Sequence, residues 1–185
     1  MTGISEWLIK QSSGWRVLLV TVVFVLFMIL VLPGQAETAD DYAQGSGSPD
    51  TSFFYTPERL FELADVYGEE GRQAYVRARF SFDLIFPFVY GIFFVTTISW
   101  LLGEITEAPN RWRLLNLGPI LGVIFDLLEN ISTSIVMLGY PEHNLVAAQV
   151  APIFTLVKWN FVSGSFIALL IALGYWAIRK LKRGG

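Results

Sequence analysis

Four stretches of the chain are apolar over roughly the 20 residues that a bilayer-crossing helix needs. The first holds a single charged residue, Arg16. The last lies within a longer apolar region, 145–178, whose Pro152 predicts a kink or a short surface helix before the span. The pattern predicts an all-α integral membrane protein, a four-transmembrane-helix bundle, with spans at about 15–32, 82–102, 114–138 and 154–178.

The N-terminal stretch has a second interpretation. Its basic start, its apolar run and the small residues around Gly34 also resemble a secretory signal peptide with a cleavage site. The apolar run is longer than the about 7–15 residues typical of such a peptide. We therefore favour a retained first span and one membrane domain over 1–185, since no internal repeat or separate soluble domain is visible.

The connection between the first two spans divides into two parts. Segment 34–50 is rich in Gly, Ser, Asp and Ala, which predicts a flexible linker. Segment 53–80 predicts a small helical extracytoplasmic cap, in which Thr56 and Pro57 begin a helix and Gly68 ends it. A second cap helix is expected to run on into the second span.

Lysine and arginine positions predict the orientation of the bundle. The connection from Gly34 to Ser81 has nine acidic residues and four arginines, and the third loop has no Lys or Arg. Both termini are therefore predicted to be cytoplasmic, and the first and third loops extracytoplasmic. The basic residues that define the cytoplasmic side are Lys10, Arg16, Arg111, Arg113, Arg179, Lys180, Lys182 and Arg183.

This layout, with a long outer first loop and cytoplasmic termini, is similar to that of claudin-type four-helix proteins. The chain has no cysteine and so lacks the paired loop cysteines of that family. No function is carried over from the resemblance.

Composition narrows the classes of function. The chain is 54% hydrophobic and 16% charged, well below the roughly 25% charged residues of soluble domains. Intrinsic disorder and a basic nucleic-acid-binding domain are therefore excluded. The absence of cysteine excludes disulfides, thiolate metal sites and thiol catalysis. A single histidine, His143, excludes a two-histidine haem or metal site within one chain, and the sequence predicts neither a cofactor nor a metal.

The third span carries polar side chains at bilayer depth. Asp126 lies near its middle, where a charge costs at least ~2.5–3.5 kcal/mol on insertion scales. Glu129 and Asn130 follow about one helical turn later, so all three side chains share one helix face. Gly118 and Gly122 lie on the same face and allow a neighbouring helix to approach closely. This face is predicted to contact protein rather than lipid.

Lys158 in the fourth span is the predicted partner of these acids. The third and fourth spans form a hairpin that turns near Glu142, and positions 126 and 158 are equally far from residue 142 along the chain. We therefore predict one intramembrane network of Asp126, Glu129, Asn130 and Lys158. It either holds the bundle together as paired buried charge or forms a catalytic or proton-handling centre. No nucleophile motif accompanies the carboxylates, so the sequence favours the structural role.

A second candidate site lies where the cap meets the second span. Arg72, Arg77 and Arg79 crowd this boundary, and Asp83 follows Arg79 by one helical turn. The arginines are candidates for binding a lipid phosphate or an acidic partner. The alternative is ion pairing within the loop, with Arg79 and Asp83 as one pair.

Three classes of function remain open. The sequence favours a non-enzymatic accessory or scaffold subunit whose buried charges hold the bundle. One alternative is an oligomeric proton- or ion-coupled transport protein that uses Asp126, Glu129 and Lys158. The other is a membrane-embedded enzyme that acts on a lipid, with the same three residues as catalytic candidates.

Membrane lipids and a homo-oligomer or larger membrane complex are the expected partners. A sealed charge cluster without a cavity would favour the scaffold. A water-lined path through the bundle or an oligomer axis would favour transport. A lateral opening that holds a lipid head group beside Asp126 would favour an enzyme.

Overall fold

The computed structural model describes residues 2–184, and Met1 and Gly185 lie outside the described residues. In this part the chain is all-helical, with 86% of its residues in helices and no strand. Four helical stretches are long and apolar enough to cross a membrane. The α-helices are α1 (Thr2–Gln11), α2 (Gly14–Leu30), α3 (Leu32–Ala43), α4 (Pro57–Arg79), α5 (Phe82–Ile105), α6 (Gly118–Gly139) and α7 (Leu145–Gly184), with 3₁₀ turns at Pro49–Thr51 and Arg111–Leu117.

Helix α2 is attached to the side of the bundle rather than built into it. It is the most apolar of the long helices, yet none of its residues is buried. It packs on α5 through aromatic rings: Phe24 stacks on Phe93 at 4.4 Å between ring centroids, and Phe27 lies 5.8 Å from Phe86. The rest of its apolar surface faces outward, as expected of a helix surrounded by lipid.

The segment predicted as a flexible linker, 34–50, differs from the prediction. Its first half forms α3, and its second half is a turn that buries Pro49. Alanine and glutamate favour helix, and Ala43 packs into the core beside the cap. The Tyr67 hydroxyl donates to the Gly47 carbonyl oxygen at 2.6 Å. The prediction of a linker was wrong because it used only the composition of the segment. Contacts with residues distant in the chain order the segment, and composition does not reveal them.

The cap helix α4 begins and breaks where the sequence predicted. The Thr56 side chain accepts a hydrogen bond from the Arg59 backbone N–H at 3.3 Å, with Pro57 in the first turn. Gly68 has a φ of 63° and interrupts the helical backbone, a conformation that favours glycine. The cap does not run on into the second apolar helix, because Phe80 and Ser81 leave the helical conformation between α4 and α5.

Helices α6 and α7 form a closely packed hairpin. A Cβ added at Gly122 would lie 3.3 Å from Val162 Cγ2, and one at Gly118 would lie 3.5 Å from Ser165 Oγ. The Gly118 and Gly122 face of α6 therefore packs against α7 within the chain. Helix α7 continues through Pro152 without the separate surface helix that the proline suggested. Alanines pack this end of α7 into the core and favour helix: Ala147, Ala148 and Ala151.

The N-terminal helix, the second connection and the C-terminal part of α7 lie at one end of the bundle. The Ser5 hydroxyl donates to the Arg113 carbonyl oxygen at 2.8 Å. Arg179 donates from Nη1 to the Glu104 carbonyl oxygen at 3.2 Å. The cap and the Asp50 turn lie at the opposite end of α5, where Arg79 and Asp83 meet.

Candidate ligand site

The Lys158 ammonium lies at the centre of a buried ionic cluster. Its Nζ is 2.6 Å from Glu129 Oε2, 2.8 Å from Asp50 Oδ1 and 3.9 Å from Asp126 Oδ1. Lys158 and Glu129 are 3% and 1% exposed. A second cation, Arg79, joins the same group. We refer to the whole set as the Lys158 cluster: Asp50, Arg79, Asp83, Asp126, Glu129 and Lys158.

The hairpin of α6 and α7 positions three members of this cluster. Asp126 and Glu129 are one turn apart on α6, so both carboxylates face α7. Lys158 reaches them because the two helices pack in the register expected from a turn near Glu142. Asn130, the fourth predicted member of the network, points elsewhere: its Nδ2 donates to the Asp83 carbonyl oxygen at 3.0 Å and so ties α6 to α5.

Glu129 is held on its other side by hydroxyl groups. The Thr155 hydroxyl donates to Glu129 Oε1 at 2.6 Å, and the Tyr55 hydroxyl lies 3.1 Å from Thr155 Oγ1. Burial and the Glu129 charge raise the pKa of Tyr55 above its ordinary value. Tyr55 therefore keeps its proton, and this side of Glu129 is closed by protein.

Asp50 and Asp83 are bridged by Arg79. The Arg79 guanidinium lies 3.2 Å from Asp50 Oδ1 and 2.9 Å from Asp83 Oδ2. Burial acts to raise the pKa of the Asp50 carboxyl, but the Lys158 ammonium and the Arg79 guanidinium outweigh it and hold the pKa below its ordinary value. Asp50 is therefore a carboxylate that joins the two cations of the cluster.

Asp50 is the functional residue that sequence reasoning missed. It lies in the segment predicted as a linker, and no periodic pattern connects it to Lys158, from which it is separated by 108 residues. The available signal was local: Pro49 in front of Asp50 is typical of a short helical turn. That signal predicts a turn at Asp50, but it does not predict that the Asp50 carboxylate contacts Lys158.

The three arginines proposed as a phosphate-binding group do not converge. Arg79 is buried in the Lys158 cluster. Arg72 packs over the Tyr140 ring at 4.8 Å and donates to the Ala64 carbonyl oxygen at 2.8 Å. Arg77 is exposed. His143, in the loop between α6 and α7, stacks on Phe61 at 4.1 Å between ring centroids.

A cavity of about 540 Å³ opens beside the Lys158 cluster. It lies between α2, α5 and α7, and its rim carries the exposed side chains of Phe166 and Ile167. The Tyr90 hydroxyl in its wall donates to Asp126 Oδ2 at 2.9 Å. The polar end of the cavity is formed by Asp50, Asp83, Asp126 and Lys158, and its aromatic walls by Phe24, Phe86, Tyr90, Phe94, Trp159 and Phe166.

Formal charge is unbalanced at this site. The Lys158 cluster contains four carboxyl groups and two basic side chains, which leaves two negative charges in excess when every member is ionised. Asp50, Asp126 and Glu129 each offer an oxygen within 4.8 Å of the others, a spacing suited to a metal ion. The Lys158 ammonium contacts all three carboxylates and already takes the cation's place among them.

Asp126 is the carboxyl group of the cluster that is farthest from a cation. Glu129, Asp50 and Asp83 each have a basic nitrogen within 3 Å, whereas Asp126 is 3.9 Å from Lys158. Asp126 also lines the cavity, and Glu129 does not. Asp126 is therefore the carboxyl group of the cluster that is best placed to form an ion pair with a cation in the cavity.

The chain was compared with models of protein families, with curated protein sequences and with solved structures. None of the three comparisons finds a match. The function is therefore argued from the geometry of the Lys158 cluster and its cavity.

Proposed function

We propose that the protein is an integral membrane protein that binds, within the bilayer, an amphiphile carrying one positive charge. The observation that supports this proposal is the cavity whose walls are aromatic and whose polar end presents three acids, Asp50, Asp83 and Asp126, beside the single base Lys158. The four long apolar helices supply the membrane-spanning part. The cap and the Asp50 turn form its extracytoplasmic end, and both termini are cytoplasmic.

The proposed orientation rests on charge. The segments that lie at one end of the bundle, α1, the Arg111–Leu117 turn and the end of α7, carry most of the lysines and arginines outside the cap. Basic residues collect on the cytoplasmic side of membrane proteins. The Lys158 cluster then lies toward the outer half of the bundle, beneath the cap.

The size and lining of the cavity suit an amphiphile. A volume of about 540 Å³ falls within the roughly 300–1,000 Å³ of small-molecule sites. Aromatic faces attract cations by about 0.5–2 kcal/mol each, most strongly where water is excluded. A cationic head at Asp126 would offset part of the excess negative charge, whereas an anionic head would add to it.

Access to the cavity lies between α2 and α7. Phe24 and Met28 of α2 line one side, and Phe166 and Ile167 of α7 line the other. Because α2 has no buried residues and contacts α5 by ring stacking, a ligand dissolved in the bilayer reaches the cavity without passing through the cap. Binding requires only the charge and shape of this cavity, so no reaction is assigned to it.

The proposal is tested with dodecyltrimethylammonium and the full chain in lipid nanodiscs. Calorimetric titration, corrected with empty nanodiscs, should show one saturable site for this probe and none for the uncharged dodecanol. Asp126→Asn should weaken binding at least ~10-fold, which is about 1.4 kcal/mol. The matched control is Glu142→Gln, which removes an exposed acid in the third loop and should leave the affinity unchanged.

Two results would contradict the proposal. Equal binding of dodecanol would mean that the cavity takes up any alkyl chain without regard to charge. Equal losses in the Asp126→Asn and Glu142→Gln proteins would mean that the probe responds to the overall charge of the protein rather than to this site.

A structural role for the same cluster is the second candidate. Its support is that Glu129 is 1% exposed and contacts both Lys158 and Thr155, as expected of buried charges that hold helices together. On this proposal the chain is an accessory or scaffold subunit of an oligomer or a larger membrane complex. The Gly118 and Gly122 face is used inside the chain, so a partner would bind another surface. Retained partner binding in an Asp126→Asn, Lys158→Met double variant would favour this role.

A further inference from the structure

We propose that the cavity exchanges its ligand for a proton, so that a cation binding beside Asp126 releases the proton that Asp126 holds in the empty protein. This inference rests on the proposed function, because it requires a cationic ligand. It assigns a coupled activity to the site: uptake of the ligand is linked to proton release, and uptake of a proton expels the ligand.

The other three carboxyl groups of the Lys158 cluster each have a close cationic partner. Glu129 lies 2.6 Å and Asp50 2.8 Å from the Lys158 ammonium, and Asp83 lies 2.9 Å from the Arg79 guanidinium. These three are placed to be ionised, and with two cations they already leave one negative charge in excess. An ionised Asp126 would bring the excess to two in a buried, apolar part of the molecule.

The environment of Asp126 opposes a second uncompensated charge. Asp126 is 7% exposed, its nearest cation is the Lys158 ammonium at 3.9 Å, and apart from the acids Asp50 and Asp83 the wall of the cavity around it is mainly apolar. Isolated charge in such surroundings is strongly disfavoured, and the group takes up a proton instead. Among neighbouring carboxyl groups, the one with the most distant cation is the one that keeps the proton.

Every helix packed around Asp126 contributes a group that affects this balance. The α5 helix supplies the Tyr90 hydroxyl, which donates to Asp126 Oδ2, and the Asp83 carboxyl group. The titratable and charged groups of the other elements are Asp50 from the 3₁₀ turn, Arg79 from α4, Glu129 from α6 itself and Lys158 from α7. The groups around Asp126 therefore comprise three acids and two bases, so acids are in excess even without Asp126 itself.

The exchange balances without any redox step. In the empty protein the Asp126 carboxyl group is neutral, with its O–H bond intact. When the ligand's cation arrives, that bond breaks, its electron pair stays on the carboxylate, and the proton passes to water. The carboxylate and the cation then form an ion pair, so the charge inside the cavity is the same before and after binding.

The sign of the pH dependence follows from this exchange. Raising the pH removes the proton that competes with the ligand, so affinity increases with pH. While Asp126 is protonated in the empty protein, the dissociation constant should fall up to ~10-fold per pH unit. A ligand with a permanent charge isolates the effect, because it has no proton of its own to lose.

The experiment uses the full chain in lipid nanodiscs and dodecyltrimethylammonium as the probe. Calorimetric titrations in two buffers with different ionisation enthalpies report the number of protons released per ligand bound. We expect about one proton for the wild type and an affinity that rises with pH as long as Asp126 is protonated in the empty protein. Asp126→Asn should release none and bind with the same weak affinity at every pH.

Two further variants keep the test sharp. Asp126→Glu retains a titratable group at this position and should retain proton release, even if affinity changes. Glu142→Gln is the matched control in the exposed third loop and should behave as the wild type. Helical circular dichroism of each variant shows whether it is folded. If Asp126→Asn does not fold, a pH profile of binding that shifts in Asp126→Glu assigns the proton to this position, and a profile identical to that of the wild type overturns the assignment.

The possible failures are distinct. Saturable binding with equal heats in the two buffers and a flat pH profile would overturn proton exchange and leave the proposed ligand site standing. Proton release that persists in Asp126→Asn would assign the proton to another group and overturn the role of Asp126. Absence of saturable binding by the wild type would refute the proposed function and this inference together.

Discussion

Among the described residues, two buried polar clusters lie toward opposite ends of the bundle, and they differ in charge balance and in their access to a cavity. In the Arg113 cluster, Arg113 pairs with Glu6 and also donates to Thr106 Oγ1 at 3.0 Å, and Asn116 Nδ2 donates to Ser99 Oγ at 2.9 Å and to the Ser5 carbonyl oxygen at 3.1 Å. We define it as Ser5, Glu6, Ser99, Thr106, Arg113 and Asn116.

Charge and space distinguish the two clusters. The Arg113 cluster has one acid and one base, and its charged members do not line the apolar cavity of about 730 Å³ beside it, to which it contributes the uncharged Thr106. The Lys158 cluster has an excess of acids and forms the wall of its own cavity. A cluster whose acid and base balance each other is suited to holding α1 against the bundle. An unbalanced cluster beside a cavity is suited to a ligand of opposite charge.

The sharpest way to test this contrast is to remove the central cation. Lys158→Ala leaves Asp50, Asp126 and Glu129 buried without their shared partner, and breaking a buried ion pair in this way costs about 3–5 kcal/mol. We expect the largest loss in free energy of unfolding among the variants considered. Denaturant titration of the detergent-solubilised protein measures it. A loss no greater than that of an exposed substitution would show that the cluster does not stabilise the fold.

Double-mutant cycles measure which carboxylate Lys158 depends on. The 2.6 Å contact with Glu129 and the 3.9 Å contact with Asp126 predict a larger coupling energy for the first pair, within the about 0.5–3 kcal/mol range of contacting residues. The Asp126→Ala, Lys158→Ala double variant should recover only a small part of the single losses, because Glu129 and Asp50 still lack the Lys158 ammonium. Stronger coupling to Asp126 would contradict the assignment of Asp126 as the group best placed to form an ion pair with a cation in the cavity.

Removing Arg113 should cost less than removing Lys158. The Glu6 side chain is 31% exposed, so water can take over part of its hydration when Arg113→Ala removes the partner. The lost charge-assisted hydrogen bonds predict about 1.5–3 kcal/mol. Binding of dodecyltrimethylammonium should change by no more than about twofold, since distant sites act independently. A large loss of binding would show that ligand binding depends on both clusters and would contradict the proposed difference between them.

The contribution of Asp50 should depend on pH in a defined direction. Its pKa lies below the ordinary 3.8 in the folded protein, so the stability that it adds is complete above that value and is lost as the pH falls below it. Asp50→Asn should cost about 1–2 kcal/mol at neutral pH, and the difference from the wild type should shrink below about pH 4. Unfolding curves at neutral and acidic pH check this. A difference that grows with acidity would have the wrong sign.

An exposed ion pair in the cap supplies the baseline for both clusters. Arg59 and Glu62 are 45% and 63% exposed, and exposed pairs contribute about 0–1 kcal/mol. Arg59→Ala should therefore change the free energy of unfolding least. Thermal denaturation, followed by circular dichroism, provides the comparison. A larger cost would point to the Arg59 hydrogen bond to the Ser46 carbonyl oxygen as an anchor of the Asp50 turn.

Much of the candidate site was accessible from helix geometry. Asp126 and Glu129 share a face because they are one turn apart, and Lys158 meets them because a short turn makes α6 and α7 antiparallel. The same counting predicted Arg79 either as a phosphate ligand or as the partner of Asp83 one helical turn later, but it does not bring Arg79 to Asp50. An arginine at the start of a span has the same neighbours in the sequence whether it binds a phosphate or a carboxylate.

The amino-acid sequence by itself determined the four apolar helices, the break at Gly68 and the polar face of α6. These features follow from hydrophobic length, backbone freedom and helical period, which act between residues close in the chain. Only the tertiary structure decided that Asp50 reaches Lys158 across 108 residues and that α2 and α7 leave a cavity beside Asp126. The docking of the Asp50 turn and the space between helices both depend on how distant surfaces fit together, and no local pattern carries that information.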